Sequence, residues 1–243
     1  YFSGDIGFLK LKKMNGMVNR QPLLSICIPT YNRSEYLKGA LDNIISSTGF
    51  NNEEVEIIIS DNASTDDTKL IAKEYTLKYS NIKYFCNENN VEDVNFYIAL
   101  NHTTGKYIRL FNDTLRFKPG SLISMLKVIE SSSENKLLLF FQNFNYLHKD
   151  TLIKFNNKLD FFKNTSFWVT WIANFGCWKT QFNYISNPCK YAWTKLLQVD
   201  WLFQLVESNS FGVIYFNDYF DSIIPSKKGG YNLFSIFINN YLY

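Results

Sequence analysis

The chain has 243 residues, of which 46% are hydrophobic and 19% charged, so it is long enough for one large folded domain. No run of about 18 apolar residues occurs, which argues against a membrane-spanning helix. The net charge of +3 is divided unevenly. Residues 23–125 contain ten basic and thirteen acidic residues, and residues 126–243 contain eleven basic and eight acidic residues. Neither half has the basic patch of a nucleic-acid-binding protein, and we expect no nucleic-acid partner.

The four cysteines are widely spaced and form no CxxC pair. We therefore expect neither a zinc site nor a disulfide framework, and a reducing cytoplasm is the compartment that fits best.

Strands and helices alternate regularly up to residue 141. Short apolar runs predict strands at residues 23–29, 55–60, 82–86, 107–111 and 137–141. Helical spacing and capping residues predict four helices. The first runs through residues 37–45 and is capped by Asn32 or Ser34, and the second begins at Ser64 or Thr65. The third covers residues 93–101, and Pro119 opens the fourth. Such β-α units indicate a mostly parallel sheet flanked by helices, with ligands beyond the carboxyl ends of the strands.

The alternation fades after residue 142. Short β-like pieces at residues 146–147, 152–155, 167–172 and 211–216 surround one convincing helix at residues 191–207. We expect one continuous domain over residues 23–243, preceded by an N-terminal extension of residues 1–22 that begins with a possible tag remnant.

Two polar segments follow the first two predicted strands. Residues 60–68 read SDNASTDDT, in which Asp61 can accept hydrogen bonds from a nucleobase edge while the following helix start offers free N–H groups. The same residues also suit an ordinary capped turn. Residues 29–33 read PTYNR, in which Tyr31 offers a ring for stacking and Arg33 can meet a diphosphate.

Together these segments resemble the family 2 glycosyltransferases, which have the Rossmann-like GT-A fold. The resemblance runs from SICIPTYNR at residues 25–33 and IIISDNASTDDT at residues 57–68 to TGKYI at residues 104–108 and KPGSL at residues 118–122. It covers residues 23–130 firmly and the less regular remainder loosely. It implies a nucleotide-sugar-binding half at residues 23–130 and an acceptor-binding half at residues 131–243.

The resemblance also implies roles for individual residues. The donor, most plausibly a UDP-sugar, would be bound by Pro29, Thr30, Tyr31, Arg33, Asp61, Asn62, Asn112 and Asp113. The family places an acidic cluster after the fourth strand that binds Mg²⁺ or Mn²⁺ at the donor diphosphate. Here the stretch reads NDTLR, so Asp113 is the candidate metal ligand, and Leu115 stands at a usual acidic position. Either Asp113 serves with Asn112 or Thr114, or the cation is weakly held or absent, with Arg116 supplying positive charge.

A base must also deprotonate the acceptor hydroxyl. Asp200 interrupts the apolar stripe of the late predicted helix, and related enzymes carry their catalytic Asp near such a helix start. Asp200 is therefore the candidate base, with a structural ion pair as the alternative and Asp218 and Asp221 in reserve. The aromatic segments 167–171 and 175–179 either line the acceptor groove or belong to the core.

The resemblance predicts an inverting transfer to a saccharide or lipid-linked saccharide in bacterial surface-polysaccharide assembly, at the cytoplasm or the inner membrane face. An amphipathic segment at residues 231–243 either packs on the domain or makes a peripheral membrane contact. Two other functions remain open: a weakened protein that binds nucleotide sugars without transfer, and a sugar nucleotidyltransferase. The nucleotidyltransferase requires a Gly-rich loop after the first strand, and residues 29–33 contain no glycine.

Overall fold

The computed structural model of the chain describes residues 21–143, 151–209, 211–224 and 236. The strands of this part of the chain are β1 (Leu24–Thr30), β2 (Val55–Asp61), β3 (Ile82–Cys86), β4 (Tyr107–Leu110), β5 (Leu115–Phe117), β6 (Leu138–Asn143), β7 (Thr151–Phe155), β8 (Gly176–Trp178), β9 (Gly212–Asn217) and β10 (Phe220–Ser222). The α-helices are α1 (Ser34–Ser46), α2 (Thr68–Lys78), α3 (Val94–Asn101), α4 (Ser121–Ser131), α5 (Lys158–Thr165), α6 (Lys179–Phe182) and α7 (Leu197–Ser208). Short 3-10 helices cover Ser166–Thr170, Ile172–Asn174 and Ala192–Thr194.

The central sheet has the strand order β3-β2-β1-β4-β8. The first four of these strands are parallel, and β8 runs antiparallel to β4. Thr30 on β1 pairs with Asp61 on β2, and Asp61 pairs with Cys86 on β3, so the carboxyl ends of three strands meet at one edge. The mixed α/β architecture with a mostly parallel sheet confirms the predicted fold class.

Strands β1, β2 and β4 of the sheet are buried on both faces because helices cover each side, whereas the edge strand β3 is partly exposed. Ile26 and Ile28 of β1 belong to a core cluster that includes α1 and α4. Between them, Cys27 points to the opposite face and a second cluster that includes α3 and α7. This two-sided burial explains why β1 and β2 are continuous apolar runs rather than alternating ones.

The fifth strand, predicted at residues 137–141, forms, but its predicted place in the central parallel sheet is wrong. Residues 138–143 form β6, which pairs with β9 in a separate sheet of order β6-β9-β7. The place beside β4 is taken by β8, whose three residues are too few to show any periodicity. Gly176 permits the close approach, because a Cβ there would lie 2.9 Å from the Tyr107 ring.

Three predicted helix starts also shift. Helix α2 begins at Thr68 rather than at Ser64 or Thr65, because Asp66 Oδ1 accepts from the Thr68 N–H and caps the helix there. Helix α7 begins at Leu197 rather than residue 191, because Lys195 has a left-handed backbone (φ 63°) and separates α7 from a 3-10 turn. Helix α4 begins at Ser121, after Gly120, and not at Pro119.

In the second half of the chain, the β-like piece at residues 167–172 is wrong, because these residues lie in 3-10 helices. Helix α5 was not predicted. Phe175 and Trp178 are fully buried, so the core interpretation of that aromatic segment holds, whereas Phe167 is 60% exposed.

The strand predicted at residues 146–147 and almost all of the segments 1–22 and 231–243 lie outside the described residues. In the described part of the chain, no helix has the length and apolar character needed to span a membrane.

Candidate functional site

A cleft of about 720 Å³ opens at the edge where β1, β2 and β4 end. Its walls also include the loop after β3 and two residues from the second half of the chain, Ile172 and Lys195. Seven of the nine predicted site residues line it, namely Pro29, Thr30, Tyr31, Arg33, Asn62, Asn112 and Asp113. The topology of the sheet therefore brings together residues that are up to 84 positions apart, from Pro29 to Asp113.

The loop after β1 presents Tyr31 to the cleft, with 43% of the residue exposed. The next residue, Asn32, has a left-handed backbone (φ 51°), which asparagine tolerates well. Its N–H donates to Ser64 Oγ at 2.8 Å, and its Oδ1 accepts from the Thr65 N–H at 2.7 Å. These bonds tie the β1 loop to the β2 loop and hold the accessible ring in place.

Asp66 supplies the helix cap that the sequence had assigned to Asn32 or Ser34. Its Oδ2 accepts from the N–H of Ser34 at 3.0 Å, and its Oδ1 accepts from the N–H of Thr68 at 3.0 Å. Burial alone would raise the pKa of Asp66, but the bonds from Thr68 and Ser34 outweigh it and lower that pKa. One carboxylate thus caps both α1 and α2, so the start of α1 already holds a negative group.

Asn62 lines the cleft, and its side chain holds the loop after β3. Its Nδ2 donates to Asn90 Oδ1 at 2.7 Å and to the Glu92 carbonyl at 3.2 Å. Its Oδ1 accepts from Asn87 Nδ2 at 3.0 Å and from the Val91 N–H at 2.9 Å. The amide is therefore fully bonded within the protein, and its contribution to the site is the shape of this wall.

Asp61 does not line the cleft. It is 1% exposed, its Oδ1 accepts from the Ser64 N–H at 2.9 Å, and its Oδ2 accepts from the Tyr84 hydroxyl at 2.7 Å. Burial, reinforced by this hydrogen bond, raises the pKa of Tyr84. A nucleobase would have to displace the Tyr84 hydroxyl to bond with Asp61, whose role in base recognition stays a prediction.

Asp113 lies 3% exposed at the back of the cleft. Its Oδ2 accepts from Thr30 Oγ1 at 3.2 Å and lies 3.3 Å from Arg33 Nε. Burial raises the pKa of Asp113 to about 6, and the Arg33 charge and the Thr30 hydrogen bond only partly oppose that shift. The ionised carboxylate is therefore stabilised by Arg33, which the sequence had assigned to a diphosphate.

Arg116 is turned away from the cleft. Its Nη1 donates to the carbonyls of Asp113 at 2.9 Å and Leu115 at 2.6 Å, and its Nη2 donates to the Tyr36 carbonyl at 3.4 Å. The guanidinium also passes against Gly39 of α1, where a Cβ would lie only 2.2 Å from Arg116 Nη2. Arg116 thus joins β5 to α1, and this conformation does not offer its charge to a leaving group.

The oxygen atoms beside Asp113 bear on the predicted divalent cation. Asn112 Oδ1 is buried and accepts no hydrogen bond from the described residues. Together with the Asp113 carboxylate it offers the hard oxygen ligands that Mg²⁺ and Mn²⁺ prefer. Among the described residues, no group of three His, Cys, Asp or Glu side chains is placed to hold a metal. The residues therefore fit a cation that takes most of its ligands from a diphosphate and water.

Asp200 lies in the first turn of α7, half-buried, and is not among the described residues that line the cleft. Its Oδ2 accepts from Gln204 Nε2 at 2.9 Å, one helical turn away. Neither of the two arrangements expected from the sequence, an ion pair with a buried cation or exposure to a cavity, describes this contact. The assignment of Asp200 as the base stays a prediction.

The structure adds Lys195 and Glu92 to the site, which the sequence did not single out. Lys195 Nζ forms an ion pair with the Glu92 carboxylate. The two residues are 103 positions apart, and the local sequence around Lys195 has no feature of a binding motif. Only the packing of the segment before α7 against the loop after β3 reveals this pair.

The fold is that of the GT-A glycosyltransferases. The chain belongs to glycosyl transferase family 2, whose family profile matches residues 25–183. This match confirms the resemblance found in the sequence.

Named relatives agree with this assignment. The chain is 35% identical over 115 residues to the abequosyltransferase RfbV of Salmonella typhimurium. This alignment covers 46% of this chain and 34% of that protein. It is 31% identical over 108 residues to a GalNAc(5)-diNAcBac-PP-undecaprenol beta-1,3-glucosyltransferase of Campylobacter jejuni, covering 44% of this chain and 34% of that one. The matched segment thus spans about a third of each relative's length.

The fold resembles that of S. aureus TarS, with a TM-score of 0.64 at 17% sequence identity. The superposition covers 81% of this chain and 59% of that one. The complex of TarS with UDP gives a TM-score of 0.63 at 18% identity and covers 83% of this chain and 60% of that one. At this identity the likeness establishes the shared fold.

Proposed function

We propose that the protein transfers a sugar from a nucleotide-sugar donor to a saccharide or lipid-linked saccharide acceptor. The observation that carries the proposal is that one cleft is lined both by an accessible aromatic ring, Tyr31, and by the polar residues Asn112 and Asp113. A ring for a base and oxygen atoms near a diphosphate are the two features that a nucleotide sugar requires. TarS has been crystallised with UDP and with UDP-GlcNAc, which supports a UDP-sugar as the donor.

In the proposed reaction, Tyr31 stacks on the base while Pro29, Thr30 and Asn62 shape the walls around it. The acceptor hydroxyl attacks the anomeric carbon and its proton passes to a carboxylate, for which Asp200 is the candidate. The new glycosidic C–O bond forms as the C–O bond to the diphosphate breaks, and the configuration inverts.

A divalent cation would be held by Asp113 and by Asn112 Oδ1, the buried acceptor without a partner in the described residues. Such a cation neutralises charge on the departing diphosphate. Arg33 keeps Asp113 ionised at neutral pH and so keeps this ligand available.

The acceptor would bind to the half of the chain after residue 130. The exposed ring of Phe167 stacks on Trp168, with ring centroids 5.1 Å apart, and such a surface suits the face of a sugar. The names of the Campylobacter relative and of the Bacillus subtilis minor teichoic acid biosynthesis protein GgaB support a role in the assembly of lipid-linked saccharides and cell-surface polymers. The location at the cytoplasmic side of the membrane stays a prediction.

Nucleotide binding tests the proposal directly. The thermal unfolding of the protein should be measured with UDP, GDP, dTDP and CMP, each with Mn²⁺ and with EDTA. A ligand that binds only the native state at 100 times its Kd adds about 2.7 kcal/mol of stability. We expect UDP to raise the midpoint most, and the absence of a shift with every nucleotide would contradict the proposal.

A second function is binding without transfer. It is favoured by the single carboxylate at the expected metal position and by the location of Asp200 outside the cleft lining. Incubating the protein with UDP-sugars, Mn²⁺ and lipid-linked saccharides from cells separates the two functions. Release of UDP supports transfer, whereas tight binding without any release of UDP supports the binding function.

A further inference from the structure

The ion pair between Glu92 and Lys195 joins the two halves of the chain at the cleft. Glu92 lies in the loop after β3, and Lys195 lies just before α7, yet both line the cleft together with Asn112 and Asp113. Lys195 and Arg33 are the cationic side chains in the described lining. A diphosphate that enters this cleft can therefore form ion pairs with these two positive groups.

The backbone holds both members of the pair in an unusual conformation. Glu92 has φ 51° and Lys195 has φ 63°, and both values lie in the left-handed region that residues with a Cβ disfavour. Such strain persists only where the surrounding structure imposes it, and it concentrates at ligand sites. The positions of these two side chains are thus set by the fold and not by local preference.

The two cations of the cleft differ in how easily their partners can be exchanged. Arg33 pairs with Asp113, whose side chain is 5% exposed and cannot reach water if the pair breaks. Lys195 pairs with Glu92, whose side chain is 70% exposed, while that of Lys195 is 24% exposed. Glu92 can therefore return to water at little cost, while Lys195, the less exposed of the two side chains, still lines the cleft.

The lining is rich in negative charge. Its carboxylates are Glu35, Asp66, Glu92, Asp93 and Asp113. An anionic ligand gains most where it replaces one of these carboxylates beside a cation, because it then removes a repulsion and keeps the attraction. Asp113 and Glu92 both lie beside a cation, and of these two carboxylates Glu92 is the exposed one that an anion can replace.

We propose that Lys195 is a phosphate-binding residue of this cleft, which Glu92 holds in position until the diphosphate of the nucleotide takes the place of Glu92. This inference rests on the proposed function, since it assigns the diphosphate end of the same ligand. It makes the segment before α7, in the acceptor-side half, part of the donor site.

Isothermal titration calorimetry with UDP tests the inference, with GDP as the probe if the thermal screen favours guanine. Lys195→Gln should weaken UDP binding at least about tenfold, the loss expected for a charge-assisted hydrogen bond. Binding of uridine, followed by ligand-observed NMR, should not change, because uridine has no phosphate. Glu92→Gln should strengthen UDP binding by about twofold to fivefold, because it removes the competing carboxylate.

Lys190→Gln is the matched control, because Lys190 is an exposed lysine of the same segment that lies outside the cleft lining. It should leave both affinities unchanged. Equal UDP affinity in Lys195→Gln and wild type overturns the inference, and so does an equal loss of UDP and uridine binding. If the wild-type protein binds no nucleotide at all, the proposed function fails first, and this inference fails with it.

Discussion

Tyr31 is exposed although the loop that carries it is held firmly. The neighbouring Asn32 is bonded to Ser64 and Thr65, so the loop that carries the ring is tied to the loop after β2. A loop that is already held loses less entropy when the ring stacks on a base.

Tyr31→Ala should therefore weaken UDP binding about tenfold, within the range measured for base–aromatic stacking. Tyr31→Phe is the control, because it keeps the ring and removes only the hydroxyl. Calorimetric titration of the two variants distinguishes stacking from hydrogen bonding. Unchanged affinity in Tyr31→Ala would show that the base binds elsewhere.

Asp200→Asn tests the proposed base. The change keeps the shape of the side chain and its bond from Gln204, but it removes the capacity to take a proton. Turnover should fall at least about 100-fold, as expected for loss of a general base, while UDP affinity stays the same. Glu207→Gln, an exposed carboxylate on the same helix, should retain full turnover. An Asp200→Asn variant with normal turnover would remove Asp200 from the mechanism.

At the scale of the element, β2 combines an apolar run with two buried carboxylates, Asp61 at its end and Glu56 near its start. Glu56 Oε1 accepts from Lys83 Nζ at 2.6 Å and Thr104 Oγ1 at 2.7 Å, and Oε2 accepts from Ser25 Oγ at 2.6 Å and the Thr104 N–H at 2.8 Å. These donors come from β1, β3 and the turn before β4. Glu56 therefore joins the strands at the edge of the sheet opposite the cleft.

Glu56→Gln should lower the free energy of unfolding by about 3 kcal/mol at pH 7, because an amide cannot accept all four of these bonds. Glu53→Gln, an exposed residue of the preceding turn, should change it little. Urea unfolding of the two variants provides the comparison. A loss in Glu56→Gln no larger than that in Glu53→Gln would contradict this role.

The pH dependence of that loss follows from the pKa of Glu56. Burial by itself would raise this pKa, but the bonds from Lys83, Ser25 and Thr104 outweigh it and lower the pKa below its ordinary value of 4.5. A lowered carboxyl pKa contributes stability above the unfolded value, and this contribution is lost as the pH falls through the folded value. The difference between wild type and Glu56→Gln should be constant from pH 6 to 8 and shrink below about pH 4.5.

At the scale of the whole molecule, Arg109 lies where several elements meet. It is 1% exposed, its Nη2 donates to the Ala173 carbonyl, and its guanidinium lies 5.2 Å from the Phe220 ring and 5.9 Å from the Phe141 ring. Within the described residues, no carboxylate pairs with it, and its Nε has no hydrogen-bond partner. Burial lowers the pKa of Arg109 to about 10.

Arg109→Met should raise the free energy of unfolding by about 1 to 3 kcal/mol at pH 7, since an apolar side chain of similar length removes a buried charge. Arg109→Ala should lower it, because the smaller side chain leaves a cavity between the packed elements. Chemical denaturation of both variants measures the difference. If Arg109→Met is less stable than wild type, the guanidinium contributes more through its contacts than it loses by burial.

Prediction from the sequence succeeded where the signal was local. The apolar runs identified the four parallel strands, and the polar segments at their ends supplied seven of the residues that line the cleft. Prediction failed where short segments take their structure from neighbours: β8 has three residues, and β6 joins β9 across more than seventy positions. Helix α7 was placed too early because one residue, Lys195, adopts a backbone conformation that its side chain does not reveal.

The sequence by itself determined the fold class and the family of this protein, because hydrophobic periodicity and motif spacing are local properties that survive without coordinates. Only the tertiary structure decided which side chains are free to contact a ligand in the cleft. In the structure Asp61 bonds to Tyr84, and Arg116 contacts α1. Arg33 pairs with Asp113, and Lys195 pairs with Glu92. These are contacts between distant segments, and their energies depend on burial and distance, which a linear sequence does not contain.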